Sequence, residues 1–376
     1  MTCRVAIYLP DLSGGGAERL HVNLAPELIA RGIDVRFVVD RAGGELEPLV
    51  PDGVPRIVLG VRRQLAALPR LIRYLRQDRP DVLIANMEHM NIMAILARLC
   101  ARTRTRIVVT QHNSFSAQVA RPSWQWRILP FLYRWLLPRA DAIVAVSAGV
   151  ADDLARRSGV ARERITVIHN GVVTTDFAER MAGEPDHAWF GEGRPVIVAM
   201  GRLVQQKDFA TLIAAMAHVP EEARLMILGE GPLRADLEAQ AREAGIAERV
   251  AMPGFASNPL PYLRRARLFV LSSRFEGFGN VIAEALATGT PVVSTNCPYG
   301  PSEILGDGRF GALTPPGDSA ALGAAITRAL DEPPAPDQAQ ARGRDFSVAH
   351  CAARYVALFQ NTVAAPALSL RSELAS

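Results

Sequence analysis

Two glutamates, Glu276 and Glu284, flank a glycine-containing turn in the stretch RFEGFGNVIAEALATG. Glu284 stands within an otherwise apolar run, which is an unusual place for a carboxylate. Because glycine is unfavourable inside a helix, the two glycines of the turn predict that a helix begins only near Asn280. Glu276 then lies in the preceding loop, and Glu284 lies one turn inside the helix. A solvated helix face is the alternative explanation of the same pattern.

The start of this predicted helix offers backbone N–H groups to the space shared by both carboxylates. These groups belong to Phe278, Gly279 and Asn280. Carboxylates accept hydrogen bonds from sugar hydroxyls, whereas the start of a helix favours an anion. The combination predicts a site for a polyhydroxylated ligand that carries phosphate.

Two cations, Arg202 and Lys207, lie five residues apart in GRLVQQK, just after a predicted strand. An ammonium group acts as a point charge and a guanidinium group as a fork for phosphate oxygens, so the pair suits a diphosphate. Lys207 is the only lysine among the 42 basic residues of the chain. Chance retention of one surface lysine is the alternative.

A glycine-rich turn, SGGGA at residues 13–17, follows the first predicted strand and precedes a helix. Glycines at this place let a phosphate approach backbone N–H groups at the start of the helix. The pattern is not the GxGxxG fingerprint of dinucleotide-binding proteins. A plain strand-to-helix turn is the alternative.

Short apolar runs alternate with helical segments along the chain, which indicates parallel sheets with helices on both faces. The alternation restarts at residue 195 after an irregular stretch. We therefore predict an α/β fold with two doubly wound domains that face each other across a cleft. The predicted parts are an N-terminal domain at residues 1–172, a linker at 173–193, a second domain at 194–345, a final helix at 346–361 that crosses back, and a loose tail at 362–376.

Composition limits the class of protein. The 376 residues are enough for two hydrophobic cores. The four cysteines are far apart and form no CxxC pair, which fits a reducing cytoplasm better than a disulfide framework or a zinc site. No window approaches the roughly 20 apolar residues of a membrane-spanning helix.

Charge is distributed unevenly. Residues 1–170 contain 24 arginines against 15 acidic residues, so the N-terminal half favours an anionic partner or surface. No nucleic-acid-binding signature accompanies these arginines, and we expect no nucleic-acid partner. The stretch at residues 122–138 combines three tryptophans with arginines, which suits an anionic membrane interface. A core helix is the alternative for that stretch.

The four separated motifs together resemble a retaining glycosyltransferase of family 4. Along the chain they are the early glycine turn, Asn170-Gly171, GRLVQQK and the Glu276/Glu284 pair, which is the order typical of the family. The likeness covers about residues 3–360, and that family has the GT-B fold of two Rossmann-like domains. The segment NCPYGPSEIL resembles the branch that acts on lipid-linked oligosaccharides and exopolysaccharide repeats. The resemblance implies transfer from a nucleotide sugar, expected to be a UDP-sugar, to a lipid-diphosphate-linked saccharide.

The resemblance also implies roles for individual residues. Arg202 and Lys207 would bind the donor diphosphate and neutralise the leaving group. Glu284 would accept hydrogen bonds from the ribose, and Glu276 from the transferred sugar. His112, which follows a predicted strand, matches the family histidine near the reacting carbon, although a histidine at a strand end is often only structural.

Further contacts are implied around these residues. Gly15 and Gly16 would line the phosphate side from the N-terminal domain, and the amides of Phe278, Gly279 and Asn280 would hold sugar and phosphate. Candidates for acceptor binding follow a strand end at the expected cleft, and they are Asn86, Glu88 and His89.

No metal ion and no cofactor besides the nucleotide-sugar substrate are expected, since the chain has no Asp-x-Asp motif and no metal-ligand spacing of histidines. We expect a cytoplasmic protein, peripheral on the inner face of the plasma membrane through its N-terminal domain. Two alternatives remain open. One is a GT-B sugar-nucleotide epimerase, and the other is a non-catalytic partner subunit that binds a nucleotide sugar.

Overall fold

The structure is a computed structural model that describes residues 3–13, 15–62, 64–119, 124–333 and 336–364. Within these ranges the chain forms two units, each with a hydrophobic core of its own. The first unit combines residues 1–171 with residues 348–376, and the second comprises residues 172–347.

Most strand residues of the first unit are buried, as expected for a parallel sheet with helices on both faces. The strands are β1 (Arg4–Leu9), β2 (Asp34–Val39), β3 (Arg56–Val58), β4 (Val82–Ala85), β5 (Arg106–Gln111), β6 (Ala142–Ala145) and β7 (Ile165–Val167). Each paired neighbour runs parallel, and across the described residues the strand order is β3-β2-β1-β4-β5-β6-β7.

Helices connect these strands, as parallel pairing requires. Their bounds are α1 (Gly16–Ala30), α2 (Gln64–Asp78), α3 (Glu88–Ala101), α4 (Phe115–Val119), α5 (Trp124–Leu136) and α6 (Ala148–Ser158).

The second unit repeats this construction. Its strands are β8 (Val196–Met200), β9 (Arg224–Leu228), β10 (Val250–Gly254), β11 (Leu268–Leu271), β12 (Val292–Thr295) and β13 (Ala312–Thr314). They pair in parallel, in the order β10-β9-β8-β11-β12-β13 where the chain is described. Its helices are α7 (Phe177–Met181), α8 (Phe209–Ala215), α9 (Arg234–Glu243), α10 (Leu260–Arg265), α11 (Asn280–Thr288), α12 (Pro301–Ile304), α13 (Ser319–Asp331) and α14 (Pro336–Arg344).

The last helix, α15 (Val348–Ala364), belongs to the first unit. Its buried residues join those of α1, β1 and β2 in one core, with Tyr355 and Phe359 fully buried. The sheet of the first unit is therefore covered in part by a helix from the far end of the chain.

Strand order reverses at one place in each sheet, between β1 and β4 in the first unit and between β8 and β11 in the second. In open parallel sheets, ligands bind beyond the carboxyl ends of the strands at such a switch point. The loops that follow β1, β4, β8 and β11 are therefore the places where a site is expected.

The prediction of an α/β fold with two Rossmann-like parallel sheets is confirmed. Residues 173–193, predicted as a linker, contain α7 and a 3-10 helix at Ala188–Gly191, and they belong to the second unit. Phe177 is buried there, and Asn258 donates a hydrogen bond to the carbonyl of Arg180 at 2.7 Å. The final helix continues three residues beyond its predicted end, and the predicted tail from residue 365 lies outside the described residues.

Candidate active site

Lys207 and Glu276 form an ion pair beyond the carboxyl ends of β8 and β11, the two strands at the switch point of the second unit. The Nζ atom of Lys207 lies 2.6 Å from Oε1 of Glu276, and these side chains are only 17% and 9% exposed. Ser273 Oγ donates a second hydrogen bond to the same oxygen at 2.6 Å. Charge-assisted hydrogen bonds of this length are strong, so the Glu276 carboxylate is held in one orientation.

The glycine of GRLVQQK makes room for this pair. Gly201 has a φ of +151°, which a residue with a side chain rarely adopts, and an added Cβ would lie 3.0 Å from Cε of Lys207. The aliphatic stem of Lys207 thus packs directly on the Gly201 backbone, which directs the ammonium group toward Glu276. Arg202, the next residue, has an exposed side chain in the same loop.

The loops after β8 and β11 are joined by several hydrogen bonds. Arg274 N–H donates to the Gln206 carbonyl at 2.8 Å, and Ser272 Oγ donates to the Lys207 carbonyl at 2.8 Å. The guanidinium of Arg274 lies 3.0 Å from the buried carboxylate of Asp208, the residue just after Lys207. These contacts fix the distance between the two segments that carry the ion pair.

Sequence reasoning missed Ser272, Ser273, Gln206 and Asp208. The available signals were two serines directly after a buried strand and an aspartate at the N-cap position directly before a helix, where aspartate is common. Both signals are weak, because such residues occur at many strand and helix ends.

The predicted helix start is confirmed, since α11 begins at Asn280 with Gly279 in the left-handed conformation at φ +97°. Glu276 lies in the preceding loop, where its N–H donates to the Pro298 carbonyl at 2.7 Å. Glu284 lies one turn inside α11 and is half-buried. The two glutamates therefore lie on either side of the start of one helix. Glu276 and the GRLVQQK loop lie at the same switch point.

The side chain of Phe278 is buried against Phe346, with the ring centroids 5.3 Å apart. An added Cβ at Gly300 would collide with the Phe278 carbonyl, so the loop after β12 packs closely on this turn. The Phe278 side chain therefore contributes to packing, and the ligand-binding role of its amide stays a prediction.

In the first unit, His112 follows β5 and lies next to Asn86, which follows β4. Nε2 of His112 is 3.4 Å from Oδ1 of Asn86, and Nδ2 of Asn86 donates to the Tyr8 carbonyl at 3.3 Å. The ring of His112 meets the ring of His21 edge-on at 5.9 Å. Burial, with a smaller contribution from His21, lowers the pKa of His112 to about 3.

The other acceptor candidates lie in the first turn of α3. Glu88 is buried and accepts a hydrogen bond from Nε2 of Gln111 at 2.8 Å. His89 is half-buried, and burial lowers its pKa. Asn86 is fully buried, with a relative exposure of 0%. The acceptor role of these three residues stays a prediction, and the burial of Asn86 is taken up below.

The glycine turn after β1 leads into α1 as predicted, with Gly15 just before the helix and Gly16 as its first residue. The carboxylate of Glu18 packs on Gly15, where an added Cβ would collide with it. Glu18 is buried, which raises the pKa of its carboxyl group. A carboxylate therefore lies at the start of α1, where the sequence predicted a phosphate. The missed signal was Glu18 itself, two positions after the last glycine of the turn.

The aromatic stretch at residues 122–138 forms most of α5, although residues 120–123 and the side chains of residues 124–127 lie outside the described part. One face of α5 is buried, and Tyr133 stacks on Phe115 at 4.8 Å. The opposite face exposes Ile128, Phe131 and Trp135, at 41%, 63% and 57%. Among the described residues, no helix is both long and apolar enough to span a membrane.

Comparison with solved structures defines the class. Anabaena HepE in complex with UDP-glucose superimposes with a TM-score of 0.79 over 95% of this chain and 99% of that chain, at 21% identity. The fold is therefore GT-B, the two-domain glycosyltransferase fold, and the switch points just described are those of that fold.

Sequence comparison gives the family. The profile of Glycosyltransferase Family 4 matches residues 14–176, and that of Glycosyl transferases group 1 matches residues 186–346. The lipopolysaccharide core biosynthesis glycosyltransferase LpsE of Rhizobium meliloti is 30% identical over 83% of this chain and 84% of its own length. The N-acetylgalactosamine-N,N'-diacetylbacillosaminyl-diphospho-undecaprenol 4-alpha-N-acetylgalactosaminyltransferase of Campylobacter jejuni is 29% identical over 82% of this chain and 85% of its own length. The chain belongs to this family of glycosyltransferases and is a GT4-type transferase.

Proposed function

We propose that the protein transfers a sugar from a UDP-sugar, with retention of anomeric configuration, to a saccharide carried on a lipid diphosphate. The observation that carries the proposal is the Lys207–Glu276 ion pair at the switch point of the second unit. The name of the C. jejuni relative includes a diphospho-undecaprenol acceptor, and the Anabaena neighbour is bound to UDP-glucose, which supports this choice of acceptor and donor.

In the proposed reaction the bond between the anomeric carbon and the β-phosphate oxygen breaks, the acceptor oxygen bonds to that carbon, and the acceptor's hydroxyl proton passes to an oxygen of the departing phosphate. Negative charge develops on the departing diphosphate. Lys207 and Arg202 stabilise that charge, which is the type of electrostatic contribution that dominates many transferase and hydrolase mechanisms. Glu276 orients Lys207 and accepts hydrogen bonds from the transferred sugar, while Glu284 accepts from the ribose.

The remaining donor contacts are assigned to backbone groups. The amides of Phe278, Gly279 and Asn280 hold sugar and phosphate at the start of α11, where the helix dipole favours an anion. Gly15 and Gly16 line the phosphate side. Since the sequence has no Asp-x-Asp motif and Arg202 and Lys207 are available to the diphosphate, we propose that neither a divalent metal nor another cofactor takes part, and that turnover persists in EDTA.

We further propose a cytoplasmic location with peripheral attachment to an anionic membrane through α5. The exposed side chains of Ile128, Phe131 and Trp135 lie three and four residues apart on one helix face, next to the exposed Arg134. Apolar and aromatic side chains bordered by arginine suit the boundary between head groups and acyl chains.

Liposome flotation tests this attachment. Wild-type protein is expected to float with anionic vesicles at low salt, and the double variant Phe131→Ser/Trp135→Ser is expected to stay in the lower fraction. The matched control is Val363→Ser, which alters an exposed apolar residue on α15. Equal flotation of wild type and double variant would leave α5 without a membrane role.

The donor is identified by a thermal-shift panel of nucleotide sugars, because a ligand that binds only the folded state raises its melting temperature. The donor that raises it most is then incubated with and without lipid-linked saccharide. The proposal requires UDP release that depends on the acceptor. Release or conversion of the nucleotide sugar without any acceptor indicates epimerase chemistry, and binding without either reaction indicates a non-catalytic subunit.

A further inference from the structure

Asn86 forms a bridge between β1 and His112. Its side chain is fully buried, and its two polar ends face different groups. The amide nitrogen donates to the Tyr8 carbonyl at 3.3 Å, and the amide oxygen lies 3.4 Å from Nε2 of His112. Both hydrogen-bonding ends of the Asn86 side chain thus face groups of the protein itself.

The hydrogen bonds of Asn86 determine which nitrogen of His112 carries the proton. A carbonyl oxygen can only accept, so the end of Asn86 that faces Tyr8 must be the NH₂ group. The end that faces His112 is then the oxygen, which also only accepts. Nε2 of His112 must therefore carry the hydrogen, and Nδ1 is left with a lone pair.

A second contact holds the plane of the His112 ring. His21, on α1, meets that ring edge-on with the centroids 5.9 Å apart. The Nδ1 atom of His21 lies 2.8 Å from the Ala17 carbonyl, and the ring of Tyr355 on α15 also meets His21 edge-on, with the centroids 6.4 Å apart. His21 is fully buried, so its ring has little freedom to move.

We propose that Asn86 and His21 are positioning residues that hold His112 as the Nε2–H tautomer, so that Nδ1 can accept a hydrogen bond from a hydroxyl group of the bound sugars. The inference rests on the proposed function only in placing a sugar hydroxyl near His112. It assigns Asn86 to the support of His112 instead of to direct acceptor contact, because a fully buried side chain with two internal partners has no free surface for a saccharide.

The lowered pKa of His112 agrees with this role. A neutral imidazole with one fixed N–H has one acceptor nitrogen, whereas an imidazolium has none. The groups around the ring therefore leave His112 suited to orienting a hydroxyl and poorly suited to removing its proton.

The tautomer is tested by nitrogen–proton correlation NMR on the full chain labelled with ¹⁵N-histidine, with His112→Gln used to identify the His112 signals. In the wild type we expect a proton on Nε2 that exchanges slowly with water, and an unprotonated Nδ1. The slow-exchanging signal is expected to disappear in Asn86→Ala. It should persist in Asn86→Asp, which keeps an acceptor opposite Nε2.

The matched control is Asn91→Ala. Asn91 is equally buried and donates to the Thr110 carbonyl at 3.2 Å, but Thr110 and Tyr133 are its partners, not His112. The Nε2–H signal should persist in this variant. Two results would overturn the proposal. One is a His112 that carries its proton on Nδ1 in the wild type, and the other is an Nε2–H signal that is unchanged in Asn86→Ala.

Kinetics separate this inference from the proposed function. In Asn86→Ala we expect kcat to fall between about 10- and 100-fold with little change in the donor KM, as for a misplaced orienting group. If no transferase activity is found in the wild type, the proposed function fails while the NMR result still decides the tautomer.

Discussion

The two switch points have the same topology but differ in the charge of the side chains at their centres. In the second unit, the strand ends carry Lys207, Glu276, Arg274 and Asp208 as paired charges. In the first unit, Asn86 and His112 follow the matching strands and lie beside His21 of α1, while the buried carboxylates Glu18 and Glu88 lie in the first turns of α1 and α3. Burial lowers the pKa values of both imidazoles, so the group of Asn86, His112 and His21 is a site that is neutral at physiological pH. The fold determines where a binding site can form, and the side chains at that position determine which ligand groups it can bind. A charged site suits a diphosphate, whereas a neutral site suits hydroxyl groups.

The net charge of each half does not follow this division. The arginine-rich first unit places several of its charge pairs at the amino ends of its strands, away from the switch point. Arg4 pairs with Asp34 at 3.0 Å, and Arg106 pairs with Asp141 at 3.0 Å. Part of the positive charge in the first half is thus used to join neighbouring strands, and overall charge is a poor guide to the site.

The largest expected effect is loss of the charged pair. Lys207→Ala and Glu276→Ala should each lower kcat by at least about 10²-fold, the usual loss for one contact to developing charge. The double variant should lose less than the product of the two, because the residues act as one unit. Steady-state kinetics with the identified donor measure both. Arg264→Ala, which removes an exposed cation of α10, is the control and should keep wild-type turnover. Near-normal turnover in both single variants would disprove this site.

The lowered pKa of His21 in the neutral site should make the folding stability of the protein depend on pH. Burial lowers the pKa of His21 to about 4, whereas an unfolded histidine titrates near pH 6.5. Below pH 6.5 the unfolded chain takes up a proton that the folded chain does not, so folding stability falls as pH falls from about 6.5 toward 4. For the fully buried His21 the loss between pH 7 and pH 5 is about 2 kcal/mol.

Chemical denaturation at pH 7 and pH 5 measures this loss. His21→Phe should reduce the difference between the two pH values, while His218→Phe, which changes a histidine of the second unit, should not. An equal pH dependence in wild type and His21→Phe would show that His21 titrates normally in the folded protein.

The smallest expected effect concerns the start of α1. If Gly15 and Gly16 line the phosphate side, the Glu18 carboxylate repels the donor, and Glu18→Gln should lower the donor KM by about two- to fivefold at low salt, as for one partly screened charge. Titrations at low and high salt measure this, because screening should reduce the effect. Glu27→Gln, in the last turn of α1 where the carboxylate pairs with Arg31, is the control. An increased KM in Glu18→Gln would instead assign the carboxylate to ligand binding.

Much of the fold followed from the sequence because buried parallel strands are continuous apolar runs and their alternation with helices is regular. The start of α11 followed from two glycines in the same way. The contacts that complete the site did not. The hydrogen bond from Ser273 to Glu276 and the ion pair of Arg274 with Asp208 depend on the packing of loops after two strands. A local sequence pattern does not predict that packing.

The segment at residues 173–193 shows the same limit. Its glycines and prolines suggested a linker, yet Phe177 is buried and the carbonyl of Arg180 is bonded to Asn258, which is far away in sequence. Asn86 was selected by position alone, and only its burial distinguishes a supporting role from a contact role.

The return of α15 to the first unit has a consequence for synthesis. Tyr355 and Phe359 complete the core of that unit, and the Tyr355 ring contacts His21, yet both residues are translated after every residue of the second unit. Because domains fold as units during synthesis, the second unit can close while the first still lacks a helix. The neutral site around His112 is therefore assembled last, although most of its residues are translated first.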